Sequence, residues 1–475
     1  MKHLFSILSF IFFSFNVFAQ SDRYTGTWEG DLDAGIQKLR LVFAISSRDN
    51  GSLKFAMQSP QQSAMYMTAD TAYIDAVGQL FMEMKKFGIS FKGSLQDDST
   101  LSGEFVQGKA FPMQLKKVVK ASAVEKPKRP QTPRAPFPYK SMDISFANKN
   151  NSIRFGGTLT VPDTSDGKKY PAVILITGSG AQDRDETMMG HKPFAVIADY
   201  LSRNGIAVLR VDDRGVGKTT GNPAMSTSQD FADDKEAALD YLEKNKWIDP
   251  KRIGLIGHSE GGMIAPLLAA KRKDIKAIVL LAGPGINGAE LLAKQNVAIF
   301  RSNGVDAAAA DAYGIMFKEM INRIIRAKDS AAALAAATAV LEKWNVDPAT
   351  KKLFKVDTKE NRTTFAGEMV DELYSPWFKY FLAYEPAPAL KKLSCNVLAL
   401  NGSRDIQVLP QPNLAGIENA LKKSRSKSYE VKEVPGLNHL FQACNACTLD
   451  EYAKLEESFS PQVLSIINDW LQKNL

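Results

Sequence analysis

Three cysteines and four histidines among 475 residues are few. A disulfide scaffold is therefore excluded as the basis of the fold. Long apolar runs are scarce as well. The one near the start, Leu4 to Phe18, is interrupted by Ser6, Ser9, Ser14 and Asn16, and it is shorter than the roughly 20 apolar residues that cross a bilayer. No membrane span is expected. Charge of one sign is lacking too: 60 Lys and Arg stand against 52 Asp and Glu, a formal excess of +8. That excess is concentrated between Lys116 and Lys140, where eight basic residues meet the single acid Glu125. Without aromatic interleaving or a recognition motif, this reads as a solvated basic connection, and nucleic acid is not an expected partner. The remaining composition, 44% hydrophobic and 24% charged, is that of a globular chain long enough for more than one core.

The basic start at Lys2 and His3, the interrupted apolar run and Val17-Phe18-Ala19 read as an export signal over residues 1–19, cleaved after Ala19. A periplasmic or extracellular location follows, and with it an oxidising compartment for Cys395, Cys444 and Cys447.

Residues 20–119 consist of short alternating segments such as Lys38 to Ile45, Leu80 to Met84 and Ile89 to Leu95, separated by turn residues. This predicts a small all-β domain, a barrel or sandwich. Gly26-Thr27-Trp28 faintly resembles the Gly-x-Trp of lipocalin-like barrels, which makes a ligand or glycan contact one reading of this domain and a packing tryptophan the other. Five prolines between residues 120 and 139 predict an extended linker. From residue 140 strands alternate with helices, giving an α/β domain of about eight mostly parallel strands over 140–475. Between about 288 and 392 the β pattern stops, and Ala-rich helical segments predict an inserted cap.

The chemistry centres on Gly257-His258-Ser259-Glu260-Gly261-Gly262, directly after the apolar strand Ile253 to Ile256 and before a helical run. A nucleophile on a tight strand-to-helix turn needs small residues two positions either side, because a Cβ there would clash across the turn. Ser259 is thereby thrust clear of the sheet, with the amide of Glu260 beside it as an oxyanion donor. A serine hydroxyl needs a base. His3 lies in the leader, His258 is pinned beside the serine, and His191 precedes a helix upstream and reads as a surface or rim residue. His439, in the loop after the strand Ser428 to Val434, is the base, and Asp405, five residues past the strand ending at Leu400, is the acid that orients it. The order Ser259, Asp405, His439 is that of α/β hydrolases.

These phrases make residues 140–475 resemble the α/β-hydrolase superfamily and, more narrowly, bacterial esterases of the dienelactone-hydrolase-like group. The match includes Thr177-Gly178-Ser179-Gly180-Ala181-Gln182-Asp183-Arg184-Asp185, where the family commonly has His in place of Thr177, and Asp212-Asp213-Arg214-Gly215-Val216-Gly217-Lys218. The resemblance implies a carboxylic ester hydrolase acting on a small-molecule ester without a cofactor. It also implies a second oxyanion amide at Ser179 or Gly180. Gly217-Lys218-Thr219 is not a phosphate loop, since Asp212 stands where its first Gly is required.

Cys444-Asn445-Ala446-Cys447 follows His439 closely and reads either as a local disulfide or as free thiols. Zinc is disfavoured, because too few ligands remain once His439 is engaged. An exported peptidase of the prolyl-oligopeptidase type shares the elbow and residue order but usually carries a large propeller, which this chain lacks room for. A thioesterase, and a binding protein centred on the β domain, are the other rivals.

Overall fold

The computed structural model describes residues 23–475 apart from 34–37, 49–51, 61–65, 76, 108, 120–127, 164 and 166. The expected leader and its cleavage site lie outside the described residues. The chain divides into two compact units, Met1–Lys128 and Arg129–Leu475.

The first unit is a nine-stranded antiparallel sheet: β1 (Gly26–Asp33), β2 (Lys38–Ser47), β3 (Leu53–Gln58), β4 (Met67–Thr68), β5 (Thr71–Ile74), β6 (Leu80–Met84), β7 (Ile89–Asp97), β8 (Thr100–Gln107) and β9 (Lys109–Val118). The spatial order is β4-β3-β2-β1-β9-β8-β7-β6-β5. Its two ends are consecutive in sequence. The Ala69 N–H donates to the Phe55 carbonyl on β3, and the next residue, Asp70, donates to Glu83 on β6, both at 2.9 Å. One short segment thus bonds to strands near both ends of the sheet.

Alternation in β3 and β6 sends every second side chain inward, and the interior fills with Trp28, Phe43, Phe55, Phe91 and Phe105. The Phe43 ring lies 4.8 Å from Phe55 and 5.2 Å from Phe91. Trp28 is fully buried and donates its Nε1–H to the Tyr24 carbonyl at 2.8 Å. The basic run begins inside this unit: on β9, Lys117 sits 5.2 Å from the Trp28 ring centroid and Lys116 bonds Thr100 Oγ1.

The second unit begins within the stretch expected to be a linker. The Arg129 guanidinium donates to the carbonyls of Leu455 and Ala453 at 2.7 Å and Met189 at 3.0 Å. Gln131 bonds the backbone of Ser458 and Phe459. Proline sets an extended path, but two side chains fix that path to the unit.

The sheet of this unit comprises β10 (Lys140–Ala147), β11 (Arg154–Val161), β12 (Tyr170–Ile176), β13 (Ala207–Val211), β14 (Ile248–His258), β15 (Ala277–Leu281), β16 (Asn396–Gly402) and β17 (Tyr429–Val434), in the order β10-β11-β13-β12-β14-β15-β16-β17. β10 and β11 pair antiparallel with their neighbours, and the six strands from β13 to β17 run parallel. The parallel strands are covered on both faces, which is why β12 and β15 read as unbroken apolar runs. β14 begins earlier than the expected Ile253, because Ile248 pairs with Tyr170 across a register shift.

The crossover helices are α1 (Pro193–Arg203), α2 (Ser228–Glu243) and α3 (Gly261–Lys271). From β12 the chain passes through α1 to β13 on one side, then through α2 to β14 on the other. That reversal opens a crevice at the carboxyl ends of β12 and β14, where open α/β sheets bind ligands.

Between β15 and β16 lie α4 (Gly288–Ser302), α5 (Ala307–Arg326), α6 (Ser330–Lys343), α7 (Pro348–Leu353), α8 (Lys359–Leu373), α9 (Pro376–Ala383) and α10 (Pro386–Lys391). The first six each start on a side-chain cap, in turn Asn287, Asp306, Asp329, Asp347, Thr358 and Ser375. These caps satisfy amides that helix ends leave open. After β16 come α11 (Pro410–Leu421), α12 (Leu449–Tyr452) and α13 (Pro461–Asn474).

Candidate active site

Ser259 follows β14 at once and has φ +52°, left-handed backbone that a side chain enters at a cost. Its N–H donates to the Leu281 carbonyl at 2.8 Å, and its own carbonyl accepts from Gly262 at 2.8 Å. The flanking glycines permit this turn. A Cβ on Gly257 would lie 2.0 Å from the Gly261 oxygen, and one on Gly261 would lie 2.1 Å from the Ile176 oxygen.

Asp405 and His439 are carried by the loops after β16 and β17. Asp405 Oδ1 accepts the N–H groups of Gln407 at 2.8 Å and Val408 at 2.9 Å, which leaves Oδ2 to accept from His439 Nδ1 at 2.7 Å. Both side chains are buried. This pairing places the proton on Nδ1, so Nε2 presents a lone pair. The two loops nest at Gly402, where a Cβ would stand 2.3 Å from the Leu437 oxygen. On the far side Asn438 and Gln442 hold each other at 2.9 Å, and Cys444 and Cys447 form a disulfide. Those sulfurs, the ones that with Glu451 would otherwise form a metal-binding group, are therefore already bonded.

The loop after β12 completes the site. Gly178 is close enough that a Cβ on it would lie 3.3 Å from the Ser259 Cβ. Thr177, standing where the family commonly has His, donates its hydroxyl to Asp213 at 2.8 Å, and Lys235 donates to the same carboxylate at 3.0 Å. Arg184 grips Asp212 with two guanidinium nitrogens at 2.9 and 2.6 Å, and Arg210 pairs with Asp185. Hydrogen bonding to Arg184 and to the Lys218 and Arg184 amides overcomes burial and holds the Asp212 carboxyl below its ordinary range. Lys218 turns outward to Asp143 at 2.7 Å. Asp-Arg-Asp and Asp-Asp-Arg thus clasp one another and hold the glycine-rich loop against the elbow. Among the described residues, the N–H groups of Ser179 and Glu260 meet no acceptor, so two backbone donors stand open beside the serine.

Four residues at or beside this site escape sequence reasoning. Glu186, with φ +51° and a buried carboxylate, accepts the Gly178 N–H at 2.7 Å and pairs with His258 Nδ1 at 3.0 Å. Trp377 on α9 donates its Nε1–H to Glu260 Oε1 at 2.8 Å, so the inserted helices reach the elbow. Ser228 donates to the same oxygen at 2.6 Å, and burial pushes the Glu260 carboxyl up. The fourth, His191, corrects an expectation: it is fully buried, bonded to Ser458 Oγ and the Tyr452 carbonyl at 2.9 Å each. The carboxy-terminal loops wrap it, a long-range contact with no local signal.

A family model described as serine aminopeptidase, S33, matches residues 191–371, a span that holds the elbow but stops before Asp405 and His439. The esterase EstD of Thermotoga maritima is 33% identical over 141 residues, 30% of this chain and 33% of the relative. The esterase FrsA of Vibrio cholerae is 30% identical over 149 residues, 31% of this chain and 32% of the relative. The chain thus spans about a third of the length of these two relatives. Among solved structures, the α/β hydrolase GrgF of Penicillium sp. sh18 aligns with TM-score 0.41 at 17% identity, covering 70% of this chain and 99% of that one. With its sheet order and serine elbow the second unit has the α/β-hydrolase fold, and the chain is similar in sequence to these esterases over part of its length.

Proposed function

We propose that the protein is a serine hydrolase that cleaves carboxylic esters through an acyl-enzyme on Ser259. The observation that carries the reading is the His439 Nδ1 to Asp405 Oδ2 bond of 2.7 Å, set on the loops that flank a left-handed serine elbow. Ser259 Oγ attacks the ester carbonyl while His439 Nε2 accepts its proton, and Asp405 stabilises the imidazolium. The tetrahedral oxyanion is met by the N–H groups of Glu260 and Ser179, which need no reorganisation because the clasped loops already fix them. His439 then protonates the departing alcohol, and water releases the acid by the reverse path. The helices between β15 and β16 act as a cap that limits substrate size, with Trp377 as their contact at the elbow. Relatives named esterases support this reading. Export to an oxidising compartment is part of the proposal and accords with the Cys444 to Cys447 disulfide.

One observation favours a second reading: the family model that matches the elbow segment is described as a serine aminopeptidase. The two are separated by offering para-nitrophenyl acetate, butyrate and octanoate beside a proline-containing amide to the wild type and to Ser259→Ala. Ester turnover that vanishes in the variant supports the esterase. Amide cleavage without ester turnover supports the peptidase, and no Ser259-dependent turnover of either contradicts both.

A further inference from the structure

The reaction as proposed uses one buried histidine–carboxylate pair, yet the structure holds a second beside it. The His258 ring lies 4.8 Å from the His439 ring, centroid to centroid, and is buried at 5% side-chain exposure together with Glu186 at 2%. Its Nδ1 is 3.0 Å from Glu186 Oε1, and its Nε2 is 3.0 Å from the backbone carbonyl of His439. A carbonyl oxygen only accepts, so His258 donates to it from Nε2; against an ionised Glu186 it donates from Nδ1 as well, and the two bonds together call for an imidazolium. Glu186 Oε1 also accepts the N–H of Gly178, one residue before Ser179. A continuous path therefore runs from the oxyanion loop, through Glu186 and His258, to the backbone of the general base. No hydrogen bond on this path involves Ser259.

We infer that His258 and Glu186 are a positioning pair that fixes the oxyanion loop and the His439 loop relative to each other. The inference rests on the esterase reading of the site. The pair fits the task because a neutral histidine could donate from only one nitrogen and would release one of the two loops. Isolated buried charge is costly, and these two charges persist because each meets the other and further hydrogen bonds. The charged and titratable groups around His258 are Glu186, Asp405 and His439. Burial works against the cation, while the Glu186 carboxylate and the His439 carbonyl favour it and prevail, holding the imidazole above its ordinary value. Glu186 accepts left-handed backbone to reach this place. Strain of that kind persists only where the surroundings over-determine it.

The test has two arms. In protein labelled with 15N-histidine, the ring nitrogens of His258, assigned by their loss in His258→Gln, are followed from pH 6 to above pH 8. Both remain protonated if the pair bridges the loops. A single protonated nitrogen near neutral pH overturns the inference, whatever the activity. In the kinetic arm, His258→Gln lowers kcat for a short-chain ester by about 100-fold, the scale of a displaced catalytic group, with KM within about twofold. It also leaves Glu186 uncompensated beside His439, which favours the protonated base, so the acid limb of kcat/KM moves up by about one pH unit. Glu186→Gln loses kcat without that displacement, because the anion itself is gone. An unchanged kcat in His258→Gln, or a loss with the limb unmoved, overturns the positioning role. Wild-type protein with no Ser259-dependent turnover contradicts the esterase reading, and the nitrogen spectra then decide alone whether the pair bridges the loops.

Discussion

The two units of this chain bury different things. Among the described residues of the first, the only buried side chains outside the apolar and aromatic classes are Ser59 and Thr100, and the interior is a cluster of rings and methionines. The second buries Glu186, His191, Arg210, Asp212, Asp234, Lys235, His258, Glu260, Asp405 and His439. Burying charge opposes folding unless partners are present, so a core that needs only stability avoids it. The difference locates the chemistry. Most of these charged groups stand at the carboxyl ends of β12, β13, β14, β16 and β17 or in the loops that follow, whereas the first unit shows the economy of a packed scaffold.

The sharpest way to break the comparison is to remove charge from the second unit and apolar bulk from the first. Asp405→Asn keeps shape but loses the acceptor that fixes the His439 tautomer. Ester kcat is expected to fall about 10⁴-fold with little change in melting. A loss below tenfold would mean that Asp405 is a turn residue.

Trp28→Ala empties the centre of the first unit and should destabilise it by about 3–5 kcal/mol. Amide exchange in β1 and β9 should accelerate while ester turnover and exchange in β12 and β14 stay as in the wild type. Slower turnover would show that the first unit serves the reaction.

Trp377→Phe removes the cap's hydrogen bond to Glu260 and keeps the ring. One such bond is worth about 1 kcal/mol, so kcat/KM should fall severalfold, more for the octanoate than for the acetate ester. An equal loss for all chain lengths would argue that Trp377 acts on the elbow alone.

The smallest effect concerns His191, which the active-site chemistry does not use. Burial pushes its imidazole down to about 4 from the ordinary 6.5, assisted by the nearby Arg129 cation and opposed by the Tyr452 carbonyl. The unfolded chain then takes up a proton between those two values and the folded one does not, so stability falls as pH drops from 6.5 toward 4 and levels off below. In His191→Gln that part of the acid sensitivity should disappear, read as a smaller drop in melting temperature between pH 7 and pH 4.5.

The same contrast explains what the sequence could convey. The elbow was legible because its constraint is local: Gly257 and Gly261 must be small for the turn to close, and strand and helix signals flank them. Asp405 and His439 were legible from their place a few residues past β16 and β17. Both proposed oxyanion donors, at Ser179 and Glu260, are backbone amides, which position alone suggests. Glu186 and Trp377 were not legible, since one sits in a turn rich in acids and the other on an inserted helix, and each owes its place to contacts 72 and 117 residues away. His191 was misplaced at the surface for the same reason, its partners lying 261 and 267 residues on. Arg129 and Gln131 hide in a proline-rich basic run, where composition speaks for a linker and two side chains decide otherwise.

The most direct test of the central claim is the mass of the peptide that carries Ser259 after para-nitrophenyl butyrate is mixed with the protein and quenched in acid within milliseconds. The account predicts a butyryl increment on that peptide in the wild type, enriched in a slowly deacylating variant such as His439→Gln given an activated ester, and absent in Ser259→Ala. Ester turnover with no such increment, or an increment that survives in Ser259→Ala, would contradict it.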